Sequence, residues 1–89
     1  MTYVVLLHPK AAKELEKIER SSRLRMIERL KELHNNPDRM GKMLKHSDFL
    51  SLKVGDYRAI YEIDRNKKQV SILFIGHRSK VYDDFSKML

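Results

Sequence analysis

The chain has 89 residues, no cysteine, 19 lysines and arginines against 12 aspartates and glutamates, and a formal net charge of +7. That length fits one domain over residues 1–89, with a modest core and marginal stability unless a partner helps. The missing cysteines exclude disulfides and thiolate metal sites, while the charge favours an anionic partner, either nucleic acid or an acidic protein.

No apolar run approaches the roughly 20 residues that a membrane span needs. No basic stretch followed by a long apolar one marks a secretion signal near the N-terminus. A cytoplasmic location without membrane association is the expectation.

Residues 2–7, Thr-Tyr-Val-Val-Leu-Leu, are β-branched, aromatic and apolar, which predicts a strand. Neither face is clearly polar, so helices should cover one and the curled sheet or a partner the other. His8-Pro9 ends the strand. Proline fits a first helical turn, and His8 is a pre-helix or capping residue. Ala11, Leu15 and Ile18 then recur at helical spacing over residues 9–19. Ser21-Ser22 should break that helix and cap a second over residues 22–35. The second apolar stripe runs through Leu24, Ile27, Leu30 and Leu33, widened by Met26. Together the two form a helical hairpin packed on one sheet face. Arg23, Arg25, Arg29 and Lys31 fit an ordinary solvated helix face better than a nucleic-acid contact.

Asn35-Asn36-Pro37-Asp38 stops the second helix. Residues 39–48 show no clean period; Gly41 supplies a bend, and Met40, Met43 and Leu44 should fold inward. Lys42, Lys45 and His46 make this connection a basic rim suited to phosphates.

Residues 49–75 predict a three-strand antiparallel meander with turns at Gly55-Asp56 and Arg65-Asn66-Lys67-Lys68. In its middle strand Tyr57, Ala59, Tyr61 and Ile63 share one face, and Arg58, Ile60, Glu62 and Asp64 the other. In the third, Val70, Ile72 and Phe74 alternate with Gln69, Ser71, Leu73 and Ile75. A short β extension or turn should reach residue 82. Asp83 or Asp84 then caps a terminal helix with Phe85, Met88 and Leu89 as its apolar positions. That helix is too short to hold alone, so it must dock on the body or exchange with a partner.

The strongest chemical candidates are Arg58, Arg78 and Tyr82, with Lys53 and Lys45 behind them, although an arginine on a sheet edge, taken alone, is more often a surface salt bridge. RNA cleavage without a metal asks for help to the attacking 2′-hydroxyl, neutralisation of the phosphoryl oxygens and a proton for the leaving oxygen. Arginine suits the second task because its planar donors match phosphate and stay charged. Lysine or histidine can move the protons, and tyrosine can stack on a base. His77 flanks Arg78, and Gly76 before it permits a bend that would aim both side chains together. A packed or solvent-bound His77 is the other reading. The four histidines are not paired with Asp or Glu at ligand spacing, so no metal or cofactor is expected. No glycine-rich phosphate loop is present, which argues against nucleotide hydrolysis.

Leu52-Lys53-Val54-Gly55-Asp56-Tyr57-Arg58-Ala59-Ile60-Tyr61, followed by Ile75-Gly76-His77-Arg78 and Val81-Tyr82, resembles the core of the RelE/ParE toxin superfamily. The resemblance covers the whole chain. It implies an α+β fold: an N-terminal strand and helical hairpin packed on a small, mainly antiparallel sheet, with a short C-terminal helix. It also implies the toxin of a type II toxin–antitoxin system, closest in motif to RelE-type mRNA interferases. Those are ribosome-dependent, metal-independent endoribonucleases that cut mRNA in the A site and inhibit translation. Arg58 matches their arginine at the scissile phosphate, Arg78 their second phosphate-handling arginine, and Tyr82 their C-terminal tyrosine that orients or stacks the substrate.

The best-known members carry two lysines, separated by one residue, on the preceding strand. Here Phe49 and Ser51 stand in those places, with Lys53 in the adjacent solvent-face register. The spacing from Arg78 to Tyr82 is two residues shorter than theirs. Lys45, Lys53, His46 and His77 are the groups left for proton transfer, and Lys42, Lys45, Lys53 and His46 those left for RNA binding. A ParE-like gyrase inhibitor and a weakly active or non-catalytic basic interaction module are the alternatives. The implied partners are an acidic, partly disordered cognate antitoxin, the ribosome with mRNA in its A site, and operator DNA reached through the antitoxin.

Overall fold

The first strand, β1 (Val4–Leu7), leads at once into α1 (Pro9–Lys17). The computed structural model describes residues 2–87. Pro9 opens α1, and the His8 ring nitrogen accepts the Lys10 N–H at 3.2 Å, one of the donors a helix start leaves unpaired. The helix ends at Ile18, whose backbone is extended, so the break precedes the expected Ser21-Ser22. Glu19 caps α2 (Arg20–Glu32) instead. Its carboxylate accepts the Ser22 N–H at 2.6 Å and also the Ser21 hydroxyl. Those bonds, the Ser21 hydroxyl first, hold the Glu19 carboxyl below the ordinary carboxylate range. Both serines therefore lie inside the first turn of α2 rather than before it.

The hairpin buries Ala11, Leu15, Ile18, Met26, Leu30 and Leu33 against the sheet. Leu24, expected in that stripe, is 49% exposed. It lies two residues from Met26, about 200° around the helix, so both cannot face the core.

Pro37, itself buried, starts a single turn, α3 (Pro37–Met40). A two-residue outer strand, β2 (Lys42–Met43), follows in the stretch without a clean period. β2 leaves Met43 60% exposed, contrary to expectation, while Met40 and Leu44 pack inward. Gly41 supplies the expected bend and also serves a close approach. Its backbone is ordinary extended, but a Cβ there would overlap the ring and hydroxyl of Tyr61. Tyr61, fully buried, donates to the Pro37 carbonyl at 2.6 Å.

The meander forms as predicted: β3 (Leu50–Val54), β4 (Tyr57–Asp64) and β5 (Gln69–His77). The five-stranded sheet has the order β1-β5-β4-β3-β2, with β1 parallel to β5 and every other pair antiparallel. Val5 packs on the core, while Val4, Leu6 and Leu7 of this edge strand are exposed.

One irregularity overturns the expected alternation in β5. Ile60 pairs with Phe74 and Tyr61 with Ile72, leaving Leu73 as an extra residue. Such a bulge shifts the phase of the pleat. Val70, Ile72 and Ile75 consequently face the helices, and Phe74 turns to the opposite face with Ile60.

That second face is covered by α4 (Val81–Ser86). Val81 and Phe85 bury against Ile60 and Phe74, and the Phe85 ring meets those of Phe49 and Phe74 edge-on at 5.1 and 6.2 Å. α4 starts one residue before Tyr82, which is helical rather than part of a β extension. Asp83 and Asp84 sit in its first turn, not at its cap. Met88 and Leu89, expected as its further apolar positions, lie outside the described residues.

Candidate functional site

The site is built on a cross-strand pair of like charges. Lys53 of β3 stands directly opposite Arg58 of β4. Ser51, two residues before Lys53, stands opposite Lys42 of β2. Strand periodicity puts Ser51 and Lys53 on one face, while the alternate Leu52 joins the core beneath the helices. Lys53 thus shares the face of Ser51 and is not in an adjacent register.

A groove of about 400 Å³ opens over this face. Lys42, Lys45, Lys53, Arg58, Ser51 and Tyr82 line it, with Met43 and Leu44 along one wall. The half-buried Arg58 folds over the β3–β4 turn, donating from Nη1 to the carbonyls of Gly55 at 3.0 Å and Tyr57 at 2.9 Å. Gly55 has φ +58°, the left-handed conformation that favours glycine. Tyr82 reaches in from α4, and its hydroxyl lies 2.8 Å from the Ser51 hydroxyl. Tyr82 remains 38% exposed, whereas Ser51 is only 8% exposed.

Arg78 is held beside the same turn but does not line the groove. Its N–H donates to the Asp56 carbonyl at 2.8 Å, and its guanidinium faces the Asp56 carboxylate at 3.9 Å. His77 is carried to the opposite side. It pairs with Tyr57, stacks edge-on against that ring at 5.7 Å, and bonds the Ser79 hydroxyl at 2.8 Å. It lines a separate cavity with Glu14, Lys17, Lys80 and Asp84. The bend that Gly76 permits is not made, and adjacent strand residues point apart. His46, in a left-handed turn position, is exposed and outside the groove lining.

Ser51 is the groove residue that sequence reasoning passed over as a functional group. Its signal was the period of two from Lys53. Phe49, two residues earlier still, went to Phe85 and the second core.

Electrostatics sharpen the groove. Among the described residues the ion pairs are Lys17–Glu14, Arg29–Glu32, Lys31–Glu28, Arg65–Asp38 and Arg78–Asp56. Lys42, Lys45, Lys53 and Arg58 take part in none of them. Like charges directly opposite on a sheet repel, and an anion bound between them removes that repulsion. Phosphate fits, because a guanidinium offers it paired planar donors and an ammonium a compact charge. Among the described residues, no group of three His, Asp or Glu gathers closely enough to hold a metal ion. None of their helices is long and apolar enough to cross a membrane.

Residues 5–82 match the family model described as ParE toxin of type II toxin–antitoxin system, parDE. Toxin RelE of Mycobacterium tuberculosis is 34% identical over 83 residues, spanning 90% of this chain and 86% of that protein. A chain of the RelBE2 toxin–antitoxin complex of M. tuberculosis superposes with a TM-score of 0.81 at 30% identity, covering 88% of this chain and 100% of that one. The archaeal RelE–RelB complex from Pyrococcus horikoshii OT3 gives 0.75 at 25% identity, with 91% and 100% covered.

Proposed function

The chain belongs to the RelE/ParE family of toxins from type II toxin–antitoxin systems, and from that premise we propose that it is a metal-independent endoribonuclease cutting mRNA in the ribosomal A site. The observation that carries this reading is the Lys53–Arg58 pair, set in a groove with Tyr82 and without a carboxylate partner among the described residues. In the reaction the 2′-oxygen bonds to phosphorus as the bond from phosphorus to the 5′-oxygen breaks. The 2′-hydroxyl passes its proton to solvent water, and a lysine ammonium of the groove supplies another to the leaving 5′-oxygen. The products are a 2′,3′-cyclic phosphate and a 5′-hydroxyl.

Arg58 neutralises the phosphoryl oxygens as negative charge builds on them. Lys53 and Lys45 are the groove's proton-carrying amines and serve the leaving oxygen. Tyr82 offers its ring to a base. Arg78 adds a second guanidinium once its exposed contact with Asp56 exchanges for phosphate. His77, on the other face, has no part in this reading. The ribosome supplies the in-line alignment that so small a groove does not impose alone.

A cognate antitoxin, acidic and partly disordered, is the partner in this reading; it would cover the groove or displace α4, and would itself contact operator DNA. The relatives from M. tuberculosis and P. horikoshii were solved as toxin–antitoxin complexes. Mapping 5′ ends on a defined mRNA, with and without programmed ribosomes, tests the activity. Cuts within the A-site codon that require the ribosome are expected; an uncut message overturns the reading.

Two observations favour a second reading, inhibition of DNA gyrase. The matching family model is that of ParE toxins, and Phe49 and Ser51 occupy the places of the interferase lysine pair. Loss of gyrase supercoiling at toxin concentrations that leave mRNA intact would select it.

A further inference from the structure

Four of the five cations of α2 separate by direction. Arg23 turns back to the α1–α2 junction, donating to the Glu16 and Ile18 carbonyls at 3.4 Å each. Lys31 pairs with Glu28 at 3.6 Å and lines an apolar groove beside β1. Arg25 and Arg29 instead line a cavity of about 390 Å³ between α2 and the β3–β4 turn. Its other walls include the exposed Leu24 and the β3 residue Lys53. Lys53 also lines the Arg58 groove, so one lysine borders both spaces.

Gly55 forms the saddle between them. On one side Arg58 donates to its carbonyl at 3.0 Å. On the other, Arg25 Nη1 lies 3.6 Å from where a Cβ on Gly55 would stand. Two guanidiniums therefore flank one turn from opposite sides. Arg25 has no carboxylate partner among the described residues. Arg29 has Glu32 at 2.9 Å, with both side chains about half exposed, a contact that exchanges readily for another anion. Glu28 also lines the cavity, with its carboxylate facing Lys31.

We propose that this cavity is a second RNA subsite, where Arg25 and Arg29 take phosphates beyond the scissile one and Leu24 gives a base an apolar surface to rest on. The proposal builds on the endoribonuclease reading, since it continues the same strand across the saddle from Arg58. Single-stranded nucleic acid is bound along grooves of spaced cations interleaved with apolar or aromatic surface, and this layout supplies both. An RNA occupant is favoured over an acidic peptide because the cavity adjoins the phosphate groove, with Lys53 bordering both. The subsite also accounts for Leu24, an apolar residue left out of the core.

The test compares binding of labelled oligouridylates of about four and about twelve nucleotides, lengths bracketing a short and an extended site. The proteins are the parent, Arg25→Gln/Arg29→Gln and Arg58→Gln, each over a range of salt. Glutamine keeps helix propensity near that of arginine, so the exposed helix should persist; circular dichroism confirms it. In the double variant, affinity for the longer RNA should fall by about tenfold, and its logarithmic salt slope by about 1.4, or 0.7 per lost phosphate contact. Affinity for the short RNA should stay at the parent level. Arg58→Gln should weaken both.

Parent-like affinity and salt slope of the double variant for the longer RNA would overturn the subsite, and an effect of Arg58→Gln would then leave the endoribonuclease reading standing. Equal losses on both RNA lengths would also overturn it, as would loss of binding to polyglutamate but not to RNA, which would assign the cavity to an acidic protein. No effect of Arg58→Gln on either RNA would count against the endoribonuclease reading itself.

Discussion

The hydroxyls of Tyr82 and Ser51 meet at 2.8 Å, tying α4 to the floor of the basic groove across 31 residues of sequence. Ser51 is nearly buried, so its hydroxyl has little access to water, and Tyr82 is its partner. We expect Ser51 to act on the reaction through Tyr82, as a positioning residue. A hydrogen bond of this kind contributes about 0.5–1.5 kcal/mol, so Ser51→Ala and Tyr82→Phe should each slow single-turnover cleavage by about two- to tenfold. In the double variant the losses should not add, because either change removes the same bond. Ser51→Thr should restore the rate. Additive losses would contradict the coupling.

Docking of α4 depends on Phe85. Truncating a buried phenylalanine costs about 3–5 kcal/mol in a core, and a six-residue helix has little stability of its own. Phe85→Ala should release α4, and with it Tyr82. Hydrogen exchange should show protection lost over residues 81–86 but retained in β4 and β5. Unchanged protection at 81–86 would contradict this.

Repulsion between Lys53 and Arg58 predicts stabilisation by anions. Inorganic phosphate at constant ionic strength should raise Tm by a few degrees, as expected for about 1 kcal/mol in a domain this small. Lys53→Gln should raise the starting Tm and lose most of the increment. An equal phosphate effect in parent and variant would assign it to general salt action.

Burial pushes the Tyr61 phenol up to about 12, so it stays protonated in the fold where the unfolded chain ionises near 10. A raised acid stabilises below the unfolded value and loses that contribution as pH rises through the folded one. Stability should therefore fall between about pH 10 and 12 by roughly 2–3 kcal/mol, about 1.4 kcal/mol for each pH step of one between the two ionisations. Tyr61→Phe should be weaker at neutral pH, because the Pro37 carbonyl loses its donor, and flatter across that range. A parent-like alkaline slope in the variant would contradict the assignment. At the acid end the sign reverses. Asp38, held low first by its hydrogen bonds from Arg65, stabilises above the ordinary carboxylate range and loses this as pH falls.

The meander was legible because its turns carry Gly55-Asp56 and a run of polar residues, and its strands alternate. The phase shift at Leu73 was not, since a bulge arises from pairing with Ile60 and Tyr61 and leaves no mark in a run of apolar residues. The α1–α2 break went to Glu19 rather than the serines because its carboxylate reaches forward to the Ser22 N–H and the Ser21 hydroxyl. β2 escaped notice because two exposed residues carry no period. In the site, Arg58, Tyr82, Lys42, Lys45 and Lys53 converge as the motif and the loop charges suggested. His77 does not, because which face a strand residue takes depends on its register with Tyr57, a long-range fact. Ser51 needed the position of α4 before its hydroxyl acquired a partner.

The central claim is that the Lys53–Arg58 groove holds the scissile phosphate, and single-turnover cleavage of mRNA on programmed ribosomes tests it most directly. Parent, Arg58→Ala and His77→Gln would be compared, with product ends identified. The account predicts 2′,3′-cyclic phosphate and 5′-hydroxyl ends, a loss of at least about 100-fold in Arg58→Ala, and a parent-like rate in His77→Gln. A full rate in folded Arg58→Ala, or products carrying a 5′-phosphate, would contradict it.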